Sequence, residues 1–472
     1  MAEIIHSADL IVVGGGMAGL IAGVRAAELG LSVGVLEQGT SDRYLCNTRY
    51  SGGIFHLAYN DVKIPEADLM EAMRVITAGA IDPALAQVLA RNGRLLVDWL
   101  TKQGARFIHG GPAWQNWMLA PPRPLTAGLE WIGRGPDVML RKLGEHLRAA
   151  GSNLFLGTRA TALRMQDGRC VGVDAVRDGV EIAFAAGAVV IADGGFQGDL
   201  ALVGKHIGGV PDRLKQRGAQ TGLGAGLRMA EAVGASVTRL DRFYGHMLSR
   251  DAMHNDRVWP YPEVDAIAAA GLLVGPDGRR FADEGRGGIY LANEVARLAD
   301  PLGTSIVFDA KIWEGPGRSA RIPANPQLAR AGATIHQGPD LASAAKAAGL
   351  PVDAVAATVA EYNKALRDNT LHTLTPARTS EKYPAMPVET APFYVIPACA
   401  GITYTMGGLR IDTDARVLGQ DGQPIPGLYA AGSTTGGIEG GDVAGYVGGL
   451  TKAGVFALCA AEHVARTRGG AA

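Results

Sequence analysis

The sequence predicts an α/β protein in which a discontinuous Rossmann-like domain is interrupted by an inserted α+β segment. Three observations carry this. Apolar runs that end in glycines, as buried strands leading into turns do, cluster in the first half of the chain and return near its end. Stretches with helical apolar spacing lie between them, the alternation expected of a parallel sheet covered by helices. From about residue 240 to residue 375 the pattern stops, and aromatics, histidines, prolines and short helices take over. The 472 residues suffice for two or three domains, so the expected division is 1–239 and 376–472 for the interrupted domain and 240–375 for a capping one.

The first element is the apolar run 10–13, read as a strand, followed by a helix over 20–29. Gly14, Gly16 and Gly19 fall on the turn between them in G-x-G-x-x-G spacing. The first glycine permits the tight turn, the second lets backbone approach a pyrophosphate, and the third lets helix and strand pack. The helix start, with Met17 and Ala18, offers unpaired N–H groups to the anion. A second strand, 31–36, ends on Glu37, 18 residues past Gly19, beside Gln38. An acid there can accept both hydroxyls of an adenosine ribose, which argues against a 2′-phosphorylated cofactor. Helical patterns follow over 65–101, then two alternating strands around the turn Asp167-Gly168, the first containing Ala160. "AGAVVIADGGF" is another strand ending in glycines, and 219–234 reads as a helix entered through glycines. Inside the insertion, "VDAVAATVAEYNKALRD" has amphipathic spacing; after it come "GLYAAGSTTGGIEGG" and a last helix over 448–466.

Composition removes several function classes. Lys plus Arg number 45 and Asp plus Glu 46, without blocks of one sign, so no nucleic-acid or anionic-membrane partner is expected. The longest uncharged apolar stretch, 10–24, is too short and glycine-rich to span a bilayer, and no basic segment precedes it as in a signal peptide. The four cysteines lack C-x-x-C spacing, which excludes zinc ribbons, iron–sulfur clusters and c-type haem. The expectation is a soluble, cytoplasmic protein without membrane insertion.

"VVGGGMAG", "NTRYSGG", "VVIADGGF", "GRRFADE", "GITYTMGGLRID" and "GLYAAGSTTGG" stand in the order and spacing of one group of flavoproteins. On these motifs the chain resembles the flavoprotein subunits of the fumarate reductase and succinate dehydrogenase superfamily, above all its short soluble members such as the tricarballylate dehydrogenases. The resemblance implies FAD in an extended pose and a mobile cap that closes substrate against the flavin. It puts Asn47, Thr48, Ser51, Gly52 and Gly53 along the isoalloxazine ring. Some members carry a histidine covalently joined to the flavin in this stretch; Asn47 in its place implies non-covalent FAD. Ala192, Asp193, Gly194 and Gly432 would close over the pyrophosphate and ribityl chain, with Asp193 replacing the usual threonine. The helix beginning at Gly448, Gly449 and Leu450 would point its N–H groups at flavin N1 and O2 and stabilise reduced flavin.

For the chemistry, the resemblance puts His246 at a substrate-binding position and Arg286 near the place of a catalytic arginine, though the spacing after Asp283-Glu284 is shorter. Tyr404 stands where fumarate-type enzymes have a histidine; it could accept a proton if a cationic neighbour such as Arg286 lowers its pKa, or donate to a substrate carbonyl. The Glu/Arg proton relay of fumarate reductases is replaced by "DAIAAA", and their second clamping arginine is absent, with Tyr446 and Asp442 in its neighbourhood. The expected function is therefore FAD-dependent α,β-dehydrogenation of a small carboxylate or cyclic oxo compound, passing electrons to an acceptor the sequence does not identify. Two alternatives stay open: an enoate or enone reductase running in reverse, and a non-enzymatic FAD-binding protein. The oligomeric state is not legible.

Overall fold

The computed structural model describes residues 4–468. Its larger sheet has eight strands. The central path runs Arg416–Leu418, Pro424–Ala430, Val180–Ile191, Ile4–Val13, Val33–Leu36, Asn153–Phe155, and the hairpin of Thr158–Gln166 and Arg169–Arg177 hangs on Val180–Ile191. The five strands from Pro424–Ala430 to Asn153–Phe155 pair in parallel. Their stretches 10–13, 33–36, 188–191 and 428–430 are buried on both faces, which is why they read as continuous apolar runs. Helices Met17–Glu28 and Gly449–Thr467 pack against one another, and Gly135–Ala149 packs beside the first. The hairpin turns at Asp167 and Gly168, both at positive φ, as a two-residue loop of this sequence requires.

Register decides where the site lies. Val13 pairs with both Leu36 and Ile191, and Ile191 with Ala430. The chain therefore leaves four parallel strands at one level, and Gly14, Glu37, Ala192 to Gly194, and Gly432 gather along a single sheet edge. This is where open α/β sheets bind nucleotides.

A second sheet of six strands is built around Phe393–Thr405. Phe243–Ser249, Ser305–Asp309 and His336–Gly338 pair with it antiparallel, Leu272–Val274 extends it through Ser305–Asp309, and Lys215–Gln216 pairs with it in parallel. Segment 240–375 thus supplies four of these strands, while the central one and Lys215–Gln216 come from outside it. The helix expected over 219–234 is confined to Ala225–Glu231, because Gly222 and Gly224 are packed against Gln197 and Phe196 in a loop first. No helix among the described residues is long and apolar enough to cross a membrane.

Candidate active site

A cavity of about 1170 Å³ runs from the nucleotide edge of the larger sheet to the second sheet. Ligand pockets are commonly 300–1,000 Å³, so it has room for a dinucleotide with a small molecule beside it.

At the sheet edge, Gly14, Gly16, Met17, Ala18, Glu37, Gln38, Asn47, Thr48, Ser51, Gly52, Gly53, Ala160, Ala192, Asp193, Gly194, Gly432, Gly449 and Leu450 all line it. Gly14 has φ +105°, and a Cβ there would lie 2.6 Å from the Ala192 carbonyl oxygen. Gly19 is behind the lining: its Cβ would sit 1.9 Å from the Gly14 carbonyl oxygen, so it serves the turn and not the ligand. Gly448 is also behind the lining. Its N–H donates to Glu439 at 3.0 Å, and a Cβ on it would strike the His56 carbonyl oxygen. Of the helix start, only Gly449 and Leu450 face the cavity, because the amides just before them are already taken by Glu439.

This edge fits FAD on its own geometry. Side chains built on Gly16 or Gly194 would meet nothing closer than 3.8 Å, leaving the backbone open to a close-lying ligand. Glu37 is buried, accepts from Gly15 N and Gly39 N at 2.9 and 2.7 Å, and still reaches the lining. Burial pushes its carboxyl up from its ordinary value. Asp193 accepts from Gly226 N at 2.7 Å, while its other oxygen and Gln197 Oε1 have no partner. Burial pushes the Asp193 carboxyl up to about 6. The Asn47 amide bridges two backbone groups, donating to Thr403 O and accepting from Ala219 N, each at 2.8 Å.

The second sheet contributes an aromatic wall. Antiparallel pairing sets Tyr244 opposite Tyr404, with ring centroids 5.2 Å apart. Strand alternation then puts His246 on the face of Tyr244. Tyr446 stacks on Tyr244 at 4.1 Å, and Tyr59, Tyr261 and Tyr383 also line the cavity.

His246, Tyr244 and Tyr404 on this wall each have a defined side-chain partner. His246 Nδ1 lies 2.5 Å from Asp265 and 3.3 Å from Glu263, and its Nε2 lies 2.9 Å from the Tyr244 hydroxyl. Both ring nitrogens are thus engaged within the protein. Asp265 also accepts from Met247 N at 2.7 Å, and Glu263 is ion-paired to buried Arg217. Tyr404 donates to Glu439, whose carboxylate also accepts from Val447 N, Gly448 N and, at 2.5 Å, the fully buried Lys452 ammonium. Burial, and next the Glu439 charge, hold the Tyr404 hydroxyl well above its ordinary pKa. A phenolate favoured by Arg286 is therefore not what the structure has.

Arg286 stands apart from this wall. The turn Glu284–Arg286 ends at Gly287, and the guanidinium pairs with Asp283 at 3.2 Å and lies over Tyr290, 40% exposed and outside the cavity lining. The shortened spacing after Asp283-Glu284 brings the arginine back onto its own turn. Asp442 likewise sits on the surface, paired with Arg239.

Sequence reasoning missed Tyr244, Asp265, Glu263, Arg217, Glu439, Lys452 and Arg123. Tyr244 was within reach, two positions before His246 on a strand. Asp265 opens "DAIAAA", an acid at the head of an apolar run. Glu439, set between pairs of glycines in "GGIEGG", is the signal the sequence offers for it. Arg123, Arg217 and Lys452 gave none.

Residues 9–445 match the family described as FAD binding domain. The NADH:acrylate oxidoreductase of Vibrio harveyi is 28% identical over 394 residues, 76% of this chain and 34% of that protein. The 4-oxocyclohexanecarboxylate 2-dehydrogenase of Sinomonas cyclohexanicum is 29% identical over 359 residues, 70% of this chain and 58% of that protein. The chain thus spans about a third and somewhat over half of these relatives. The crystal structure of 3-ketosteroid delta1-dehydrogenase from Sterolibacterium denitrificans superposes with a TM-score of 0.73 at 19% identity, covering 98% of this chain and all of that one, a likeness of fold.

Proposed function

The chain belongs to the FAD binding domain family, within the fumarate reductase and succinate dehydrogenase flavoprotein superfamily, and from that premise we propose that it is an FAD-dependent oxidoreductase of the CH–CH class that introduces a double bond beside a carbonyl group. The observation that carries this reading is one cavity shared by the nucleotide edge and a wall of hydrogen-bonded tyrosines and histidine. Bound FAD supplies the hydride acceptor. Its attachment is non-covalent, since the Asn47 amide has no nucleophilic atom and is spent on two backbone groups.

Substrate class follows from what the wall offers. Burial keeps Tyr446 a phenol, and its oxygen accepts from Gly449 N at 3.3 Å, so its hydroxyl can turn to donate to a carbonyl oxygen. Arg123 lies against the Tyr261 ring with Nε and Nη1 unpartnered, and Lys382 lines the same cavity. Neither cation has an ion-pair partner among the described residues. A small oxo compound bearing a carboxylate, with the ketone at Tyr446 and the carboxylate toward Arg123 and Lys382, satisfies both ends. The relative from Sinomonas, named for such a ring compound, supports the choice. The strands of 240–375 form the cap over the reacting end.

The test is anaerobic bleaching of the purified yellow protein by saturated carboxylic acids, oxo acids and cyclic ketones. Oxo carboxylates are expected to bleach it fastest, and acid precipitation to leave intact FAD in the supernatant. A protein that is bleached by none of the panel but reoxidised, once reduced, by enones or enoates is a reductase instead.

A further inference from the structure

We propose that Asp265, His246 and Tyr244 form a proton relay in which Tyr244 takes the proton from the carbon beside the substrate carbonyl. This rests on the reading of the site as one that acts at such a carbon.

The argument begins with tautomers. Asp265 and Glu263 both approach His246 Nδ1, and an ionised carboxylate can only accept, so Nδ1 carries the hydrogen. The neutral ring then has its lone pair on Nε2, and the Tyr244 hydroxyl at 2.9 Å must donate to it. A phenol that donates its proton to an imidazole keeps its own lone pairs for another proton. Tyr244 lines the cavity, stacked on Tyr446.

The step balances without an oxidant. The C–H bond breaks, its electron pair passes into the enolate, and the proton goes to the Tyr244 oxygen. The Tyr244 proton moves to His246 Nε2, and the resulting imidazolium faces Asp265. Glu263 does not compete as a sink, since Arg217 neutralises it. Asp265 is held by Met247 N and is a positioning residue, as His246 is; of the three, Tyr244 is the one that meets the substrate proton.

The experiment separates proton from hydride chemistry. The FAD-loaded protein is kept reduced with dithionite under argon in D₂O, so no net oxidation can occur. Deuterium exchange beside the carbonyl of 4-oxocyclohexanecarboxylate and of cyclohexanone is followed by NMR. The unsubstituted protein is expected to exchange these positions above the buffer rate, and Tyr244→Phe and His246→Gln to lose roughly 10²–10⁴-fold of that rate, with FAD content unchanged. A second readout does not depend on turnover. In protein with ¹⁵N-labelled histidine, the short bond to Asp265 should place the His246 Nδ1–H proton far downfield; Asp265→Asn should abolish that signal and the exchange, while Tyr244→Phe keeps the signal and loses only the exchange. Exchange at the parental rate in Tyr244→Phe and His246→Gln overturns the relay and leaves the proposed function standing. No exchange and no bleaching by any ketone in the unsubstituted protein overturns both.

Discussion

Tyr244 and Tyr404 face each other across paired strands, both line the same cavity, and both hydroxyls are raised above their ordinary pKa by burial. What stands behind them differs. Behind Tyr244 is an imidazole nitrogen with a lone pair to spare. Behind Tyr404 is a carboxylate already holding two backbone N–H groups and a buried ammonium at a helix start. The Glu439 oxygens are already engaged by the Val447 and Gly448 amides, the Lys452 ammonium and Tyr404 itself, so a proton sent along Tyr404 meets a filled acceptor, whereas the His246 Nε2 lone pair is engaged by Tyr244 alone. Position in a cavity does not make a tyrosine a base. The group that receives its proton does.

The largest expected effect falls on the side that does not move protons. Among the described residues Lys452 is the only ammonium on buried Glu439, and Lys452→Met leaves that charge unpaired at a cost of about 3–5 kcal/mol, measured by urea denaturation of the FAD-loaded protein. Adding Glu439→Gln should recover a large part of it, since removing both ends of a buried pair avoids the stranded charge. A loss below about 1 kcal/mol, the range of exposed pairs, would mean that Glu439 is free to take a proton, and the contrast between the two tyrosines would fail.

The nucleotide edge was legible because its contacts are local. Glycines, strand ends and Glu37 sit within a few residues of the turns that place them, so spacing along the chain already encodes spacing in the fold. The two tyrosine environments are not local. His246 meets Asp265 19 residues away, and Tyr404 meets Glu439 35 residues away, across elements whose packing no periodicity shows. The motifs single out Tyr404 and His246 by family position and Tyr446 only by its neighbourhood, while their partners, which decide what they do, depend on tertiary pairing. Fold class followed from strand and helix alternation. The extent of the second sheet did not, because its central strand, Phe393–Thr405, follows the segment read as the insertion.

His56 sharpens the comparison as a histidine on the same cavity with no carboxylate in hydrogen-bond reach. It accepts from Tyr59 N through Nδ1, and burial lowers its pKa from 6.5 to about 4. The unfolded chain therefore takes up that proton first. Stability is full above pH 6.5 and falls as the pH drops through 4, by up to about 3 kcal/mol. Asp193, pushed up to about 6, works in the opposite direction, so the difference between the parent protein and His56→Asn isolates the effect. Tyr404→Phe should cost somewhat less, about 1.5–3 kcal/mol for one hydrogen bond to a charged group, seen as a lower urea midpoint at unchanged slope.

The smallest expected effect is the most direct check on where the chemistry resides. Had the sequence pattern placed Arg286 against Tyr404, its removal would strip the cavity of a cation and slow flavin reduction severely. Instead its guanidinium is 40% exposed, paired with Asp283 and laid over Tyr290, and Asp283 keeps other partners in Gly285 N, Thr379 N and the Thr379 hydroxyl. Arg286→Ala should therefore change stability by no more than about 0.5 kcal/mol, as surface substitutions do, and leave the rate of flavin bleaching within about twofold, since 1.4 kcal/mol corresponds to tenfold. Stopped-flow reduction with the best ketone of the panel measures this. A hundredfold loss with FAD content intact would bring Arg286 back to the reacting centre, through a closed arrangement of the cap that turns the Glu284–Arg286 segment inward, and Tyr404 would regain the cation it needs to serve as the base.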